Sequence, residues 1–131
     1  MRVYISGKIG EEVLSEGTRQ KFARAEELLQ ARGFETFNPT TSGLGVQAAE
    51  NAERHGTTFY KEILLIDIHQ LLYCDAIYML PDFLDSKGAK AEYAFAIAIG
   101  LQVYFADELY YDWLRLHGKS YDKNRLPEVA P

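Results

Sequence analysis

Glu92 closes a stretch that reads Pro81-Asp-Phe-Leu-Asp-Ser-Lys-Gly-Ala-Lys-Ala-Glu92 and carries two further acids, Asp82 and Asp85. It is followed by Ala94, Ala96, Ala98 and Gly100, small residues that let a helix lie close against a sheet. The pattern places Glu92 in about the first turn of that helix, where backbone N–H groups favour negative charge and keep a carboxylate ionised. An ionised carboxylate facing a cleft is a competent nucleophile for glycosyl transfer. An acid at a helix start is equally an ordinary answer to the helix dipole, so Glu92 alone does not decide the chemistry. Asp67 adds a second acid in an unusual setting, among Leu64, Ile66, Ile68 and Leu71. A carboxyl there is either near the polar boundary of its helix or held for a purpose.

The elements that must carry these residues follow from periodicity. Arg2-Val-Tyr-Ile-Ser6 is a short β-rich run ended by Gly7 and reads as a first buried strand. Residues 18–32 turn helical, with Phe22, Ala25, Leu28 and Leu29 on one face and Gly33 as a stop. Residues 34–37 form a second strand closed by Asn38-Pro39. Residues 40–57 hold three glycines with several Ser, Thr and Asn and read as a lid or binding loop, with a weak helical patch at 46–52. An apolar helix over 58–73 precedes a third strand at 76–80, a loop at 81–87, an Ala-rich helix at 88–100 and a fourth strand at 102–105. Residues 107–116 suggest a last amphipathic helix before a polar tail.

Alternating strands and helices with short connections imply right-handed crossovers and a parallel sheet. The expected fold is a single-domain, doubly wound, flavodoxin-like α/β sheet of four or five strands with helices on both faces. Its core spans about residues 2–105, and 106–131 form a C-terminal helix and tail. Ligands in such sheets bind at the carboxyl ends of the strands. Those ends are Ser6-Gly7-Lys8, Asn38-Pro39 and the loop that leads to Glu92.

Composition bounds the rest. The chain has 131 residues, 47% hydrophobic and 13% aromatic, which is enough for one cored domain. A net charge of −5 without single-sign runs gives no reason to expect nucleic acid or an anionic membrane as partner. No apolar run approaches the roughly 20 residues of a membrane span, and the first ten residues lack a signal-peptide layout, so a cytoplasmic protein is expected. Cys74 is the only cysteine and reads as a small buried hydrophobe. His55, His69 and His117 have no partners at metal-ligand spacing, and no dinucleotide or Walker glycine pattern is present. Neither metal nor organic cofactor is expected.

Taken in order, Tyr4-Ile-Ser-Gly7, Asp67-Ile68, Cys74-Asp75-Ala76, Leu80-Pro-Asp82 and Ser86-Lys-Gly-Ala-Lys-Ala-Glu92 resemble the nucleoside 2-deoxyribosyltransferases. They also resemble the related 2′-deoxynucleoside 5′-phosphate N-hydrolases. The resemblance implies an enzyme that cleaves an N-glycosidic bond of a (deoxy)nucleoside or its 5′-monophosphate and passes the sugar to water or to another base. Glu92 matches the nucleophile, Tyr4 a tyrosine that orients it, and Asp67 and Asp82 acids near the departing base. Ser86 and Gly88 match the loop that holds the sugar's 5′ end. Ser6, Gly7 and Asn38 lie at strand ends expected to line the pocket. Lys8 and Lys87 offer cations for a 5′-phosphate. A small-molecule nucleoside or nucleotide is the expected ligand, and a homodimer or higher homo-oligomer is implied. The pattern departs from the family at Ile66, where an asparagine is usual, and at Lys87 and Lys90, and its C-terminal carboxylate and amide have no match. A binding or sensing module with the same pocket and no turnover is the alternative.

Overall fold

The structure, a computed structural model, describes residues 1–9 and 14–106. Four strands form one parallel sheet: β1 (Arg2–Ser6), β2 (Glu35–Phe37), β3 (Ala76–Met79) and β4 (Gln102–Phe105). Their spatial order is β2-β1-β3-β4. The chain leaves β1 to one side, then returns across it to β3, so the strand order reverses between β1 and β3. Register there pairs Val3 with Ala76 and Ser6 with Met79, which brings the ends of the two central strands level.

Four helices connect them: α1 (Glu16–Ala31), α2 (Gly45–His55), α3 (Phe59–Gln70) and α4 (Lys87–Ala98). Hydroxyl caps set the starts of α1, α3 and α4. Ser15 accepts from the Thr18 N–H, Thr58 from Lys61 and Ser86 from Ala89. The pleat of the central strands sends alternate side chains to opposite faces. Val3, Ile5, Ala76, Tyr78 and Leu80 pack with Phe22, Ala25 and Leu29 of α1. Tyr4, Ile77 and Met79 pack on the other face with Phe37, Leu71, Ala89, Ala96 and Phe105. The doubly wound parallel sheet expected from the sequence is therefore present, with four strands among the described residues.

The largest departure is residues 40–57. The helical patch expected at 46–52 is the middle of α2, which extends to 45–55 and fills most of what otherwise read as a loop. The glycines that suggested a loop stand at its margins: Gly43 has φ 76° before the helix, and Gly56 has φ 67° at its C-terminal cap, donating its N–H to the Ala52 carbonyl. Between them Ala48, Ala49 and Ala52 supply strong helix propensity. The expected last helix at 107–116 lies outside the described residues. No described helix is long and apolar enough to cross a membrane.

Candidate functional site

Glu92 is buried and is the sixth residue of α4, one turn beyond the cap. That position corrects the idea that the helix start keeps it ionised, because the exposed N–H groups belong to the first turn only. Burial pushes its carboxyl up to about 7, and hydrogen bonds from Tyr4 and Ser6 oppose that rise. The Ser6 hydroxyl donates to Oε1 at 2.7 Å, and the Tyr4 hydroxyl donates to Oε2. Both donors come from β1, 86 and 88 residues away in sequence. They point at Glu92 because residues 4 and 6 share the strand face turned toward α4. Tyr4 is fully buried, stacks on Phe37 at 5.1 Å, and has its phenol held well above the usual range by burial and then by Glu92.

Glu92 opens into a cavity of about 360 Å³. Its walls come from four places: Gly7 and Ile9 after β1, Pro39 after β2, the α3 face from Thr58 to Leu64 with Asp67, and Ser86, Gly88 and Ala89 at the start of α4. On α3 the contributing residues Phe59/Tyr60, Ile63/Leu64 and Asp67 recur every three or four positions, one stripe of the helix. A second cavity of about 210 Å³ shares Ile9, Pro39, Phe59, Ile63 and Asp67 with the first and adds Thr40, Gly43, Gly45 and Val46. Asp67 thus belongs to both and Glu92 only to the larger.

Asp67 is buried rather than at a polar boundary, and its Oδ1 has no hydrogen-bond partner among the described residues. Burial first, and then the charge of Glu92, raise its carboxyl to about 8. Two acids share one low-dielectric space, and the environment holds Asp67 above Glu92. Near neutral pH this favours a proton on Asp67 and a partly ionised Glu92, the division of labour that acid–base pairs need.

The remaining expected residues divide. Ser86 and Gly88 line the cavity, and a Cβ on Gly88 would reach contact distance of the Tyr60 hydroxyl, 3.4 Å. Gly7 lines it as well, and a Cβ there would stand 2.7 Å from Leu80 Cδ1, closer than any side chain allows. Ser6, expected to meet a ligand, instead donates to Glu92. Asn38 is buried behind Pro39, where its Oδ1 accepts from the Thr40 N–H at 2.9 Å and hydroxyl at 2.7 Å. Lys8 and Lys87 are exposed and contribute to neither cavity wall, so the anion site expected from them is not assembled there. Asp82, expected near a departing base, is likewise outside both walls and is engaged by Lys21 at 2.5 Å.

Sequence reasoning missed Lys21 altogether, along with the wall built by Phe59, Tyr60, Ile63 and Leu64. The stripe on α3 carried a signal, since its apolar residues exceed what one covered face needs, but it reads equally as core. Among the described residues no group of three or more His, Cys, Asp or Glu converges to hold a metal. His55 instead faces Glu62 at 3.3 Å.

No curated protein matches the chain. Residues 1–105 match the model of DUF4406, a domain of unknown function, and so span both central strands and every wall of the cavity. The chain belongs to the DUF4406 family.

Proposed function

We propose that this protein cleaves the N-glycosidic bond of a (deoxy)nucleoside or nucleoside 5′-monophosphate through a glycosyl ester on Glu92. The observation that carries the reading is the pair of buried carboxyls at one cavity, Glu92 held by two hydroxyls and Asp67 raised above it. A Glu92 oxygen attacks C1′ as the C1′–N bond breaks. The leaving base takes the bonding electron pair and accepts the proton of Asp67. Asp67, now a carboxylate, then draws a proton from water or from an acceptor base as that nucleophile attacks C1′ and releases Glu92. Tyr4 and Ser6 fix the attacking carboxylate and offset the cost of its charge in the interior. Ser86 and Gly88 border the part of the wall where α4 begins, a suitable neighbour for the sugar's 5′ end.

Hydrolysis and transfer differ only in the second nucleophile. The resemblance that suggests this chemistry also carries the proposals of a small-molecule ligand and a homo-oligomer, and composition that of a cytoplasmic location. The test is chromatographic: the four deoxynucleosides and their 5′-monophosphates are incubated with the protein and with Glu92→Ala, and free base is measured. Base release that requires Glu92 supports the enzyme, and a second base added as acceptor separates transfer from hydrolysis. Saturable binding without release in both forms supports a binding or sensing module instead.

A further inference from the structure

We propose that Asp82 and Lys21 are positioning residues that fasten the mouth of the cavity, and that Asp82 takes no part in proton transfer. The proposal rests on the glycosyl-transfer reading for its kinetic consequences but not for its structural one.

Three contacts close a small network. Asp82 Oδ1 accepts from the Lys8 backbone N–H at 3.0 Å. Asp82 Oδ2 accepts from Lys21 Nζ at 2.5 Å, and the same ammonium donates to the Lys8 carbonyl at 2.6 Å. The ammonium of α1 therefore clamps the loop after β1 to the loop after β3, joining positions 61 and 74 residues apart in sequence. Both loops supply cavity wall: Gly7 and Ile9 from the first, and Ser86 from the far end of the second, where it caps α4. Asp82 also sits on Gly7, where a Cβ would lie 3.2 Å from its Oδ1, so the loops meet at the clamp and not merely near it.

Both oxygens of Asp82 are occupied by these bonds, and the residue contributes to neither cavity. A group that hands a proton to a ligand must lie within hydrogen-bond reach of it. Asp67 lines both cavities that a ligand could fill, and Asp82 lines neither. With side-chain exposures of 28% and 30%, the pair is sheltered enough for charge-assisted bonds to hold the loops, yet accessible enough for substitution without a core defect.

The experiment compares Lys21→Met, Asp82→Asn, Asp82→Ala and the Lys21→Met/Asp82→Asn double variant in the full chain. Backbone amide exchange is followed at Lys8, and base release from the deoxynucleoside and 5′-monophosphate panel is resolved into kcat and KM. Lys21→Met and Asp82→Asn are expected to speed Lys8 exchange and raise KM alike, each by about tenfold, with kcat within about threefold of the unsubstituted protein. The double variant is expected to match either single, because one clamp is lost in all three. Asp82→Ala, which removes the acceptor of the Lys8 N–H as well, is expected to exceed them, so that asparagine partly rescues. The pH limbs of kcat are expected not to move. A loss of kcat beyond about a hundredfold in Asp82→Asn with KM unchanged and Lys21→Met silent would overturn the proposal and make Asp82 a proton donor. If no base is released even by the unsubstituted protein, the glycosyl-transfer reading fails and exchange alone decides: faster at Lys8 in both single variants upholds the clamp, unchanged in both refutes it.

Discussion

The two faces of the sheet are made from the same strands and do opposite work. Toward α1, β1 presents Val3 and Ile5, which meet Phe22, Ala25 and Leu29 in a layer without a buried carboxyl. Toward α4 the same strand presents Tyr4 and Ser6, which turn their hydroxyls onto a buried glutamate beside an equally buried aspartate. The first face gains from close packing without desolvating a charge. The second gives up that gain to keep two acids out of water, a cost that folding alone has no reason to bear. Both faces carry apolar core, and only the second also buries two carboxyls at a cavity.

The sharpest way to break this contrast is at Glu92. Glu92→Gln keeps the shape, with one of the two hydroxyls turned to accept from the new amide, and is expected to lower base release by about a thousandfold or more while leaving the chain folded. Circular dichroism beside the chromatographic assay checks both halves. On the opposite face, Phe22→Ala is expected to destabilise the chain by about 3 to 5 kcal/mol in denaturant unfolding, with no change in the pH profile of whatever remains folded. Such a loss is a large share of a small domain's stability.

Asp67→Asn tests activity and stability at once. Base release is expected to fall by about a hundredfold or more, since the leaving base loses its proton donor. Stability moves in the other direction with pH. The folded carboxyls of Asp67 and Glu92 lie at about 8 and about 7, above their ordinary values of 3.8 and 4.5, so the folded chain binds more protons than the unfolded one between these limits. Their contribution is complete below about pH 4 and is lost as pH rises through 7 and 8. The thermal unfolding temperature is therefore expected to fall as pH rises from about 4 to about 8, and Asp67→Asn and Glu92→Gln each to flatten the fall. Smallest of all is Tyr4→Phe. It removes a bond that lowers the Glu92 carboxyl, so the ascending limb of the rate profile is expected to shift to higher pH, with a loss of about tenfold at neutral pH.

How far this was legible in the sequence depends on the range of the interaction. The strand at Ala76–Met79 followed from local pattern, because burial on both sides leaves a continuous apolar run. Residues 40–57 misled because glycines at a helix's margins look like glycines within a loop; only the backbone angles of Gly43 and Gly56 separate the two. Asp67 stood out by its apolar neighbours, which is a local signal. Its standing against Glu92 is not local, nor is the aim of Ser6, since nothing near residue 6 announces a carboxylate 86 positions later. Tyr4 was connected to Glu92 only through family resemblance. Lys21 was invisible for the same reason, one more cation on an amphipathic helix until the fold sets Asp82 beside it.

The most direct test is whether a sugar is ever bonded to Glu92. The protein is mixed with the nucleoside and nucleotide panel, quenched in acid within the first turnovers, digested, and its peptides are weighed. The account predicts a peptide containing Glu92 heavier by one sugar residue, absent from Glu92→Gln. Base released at full rate by Glu92→Gln, or a sugar carried on a different residue, would contradict it.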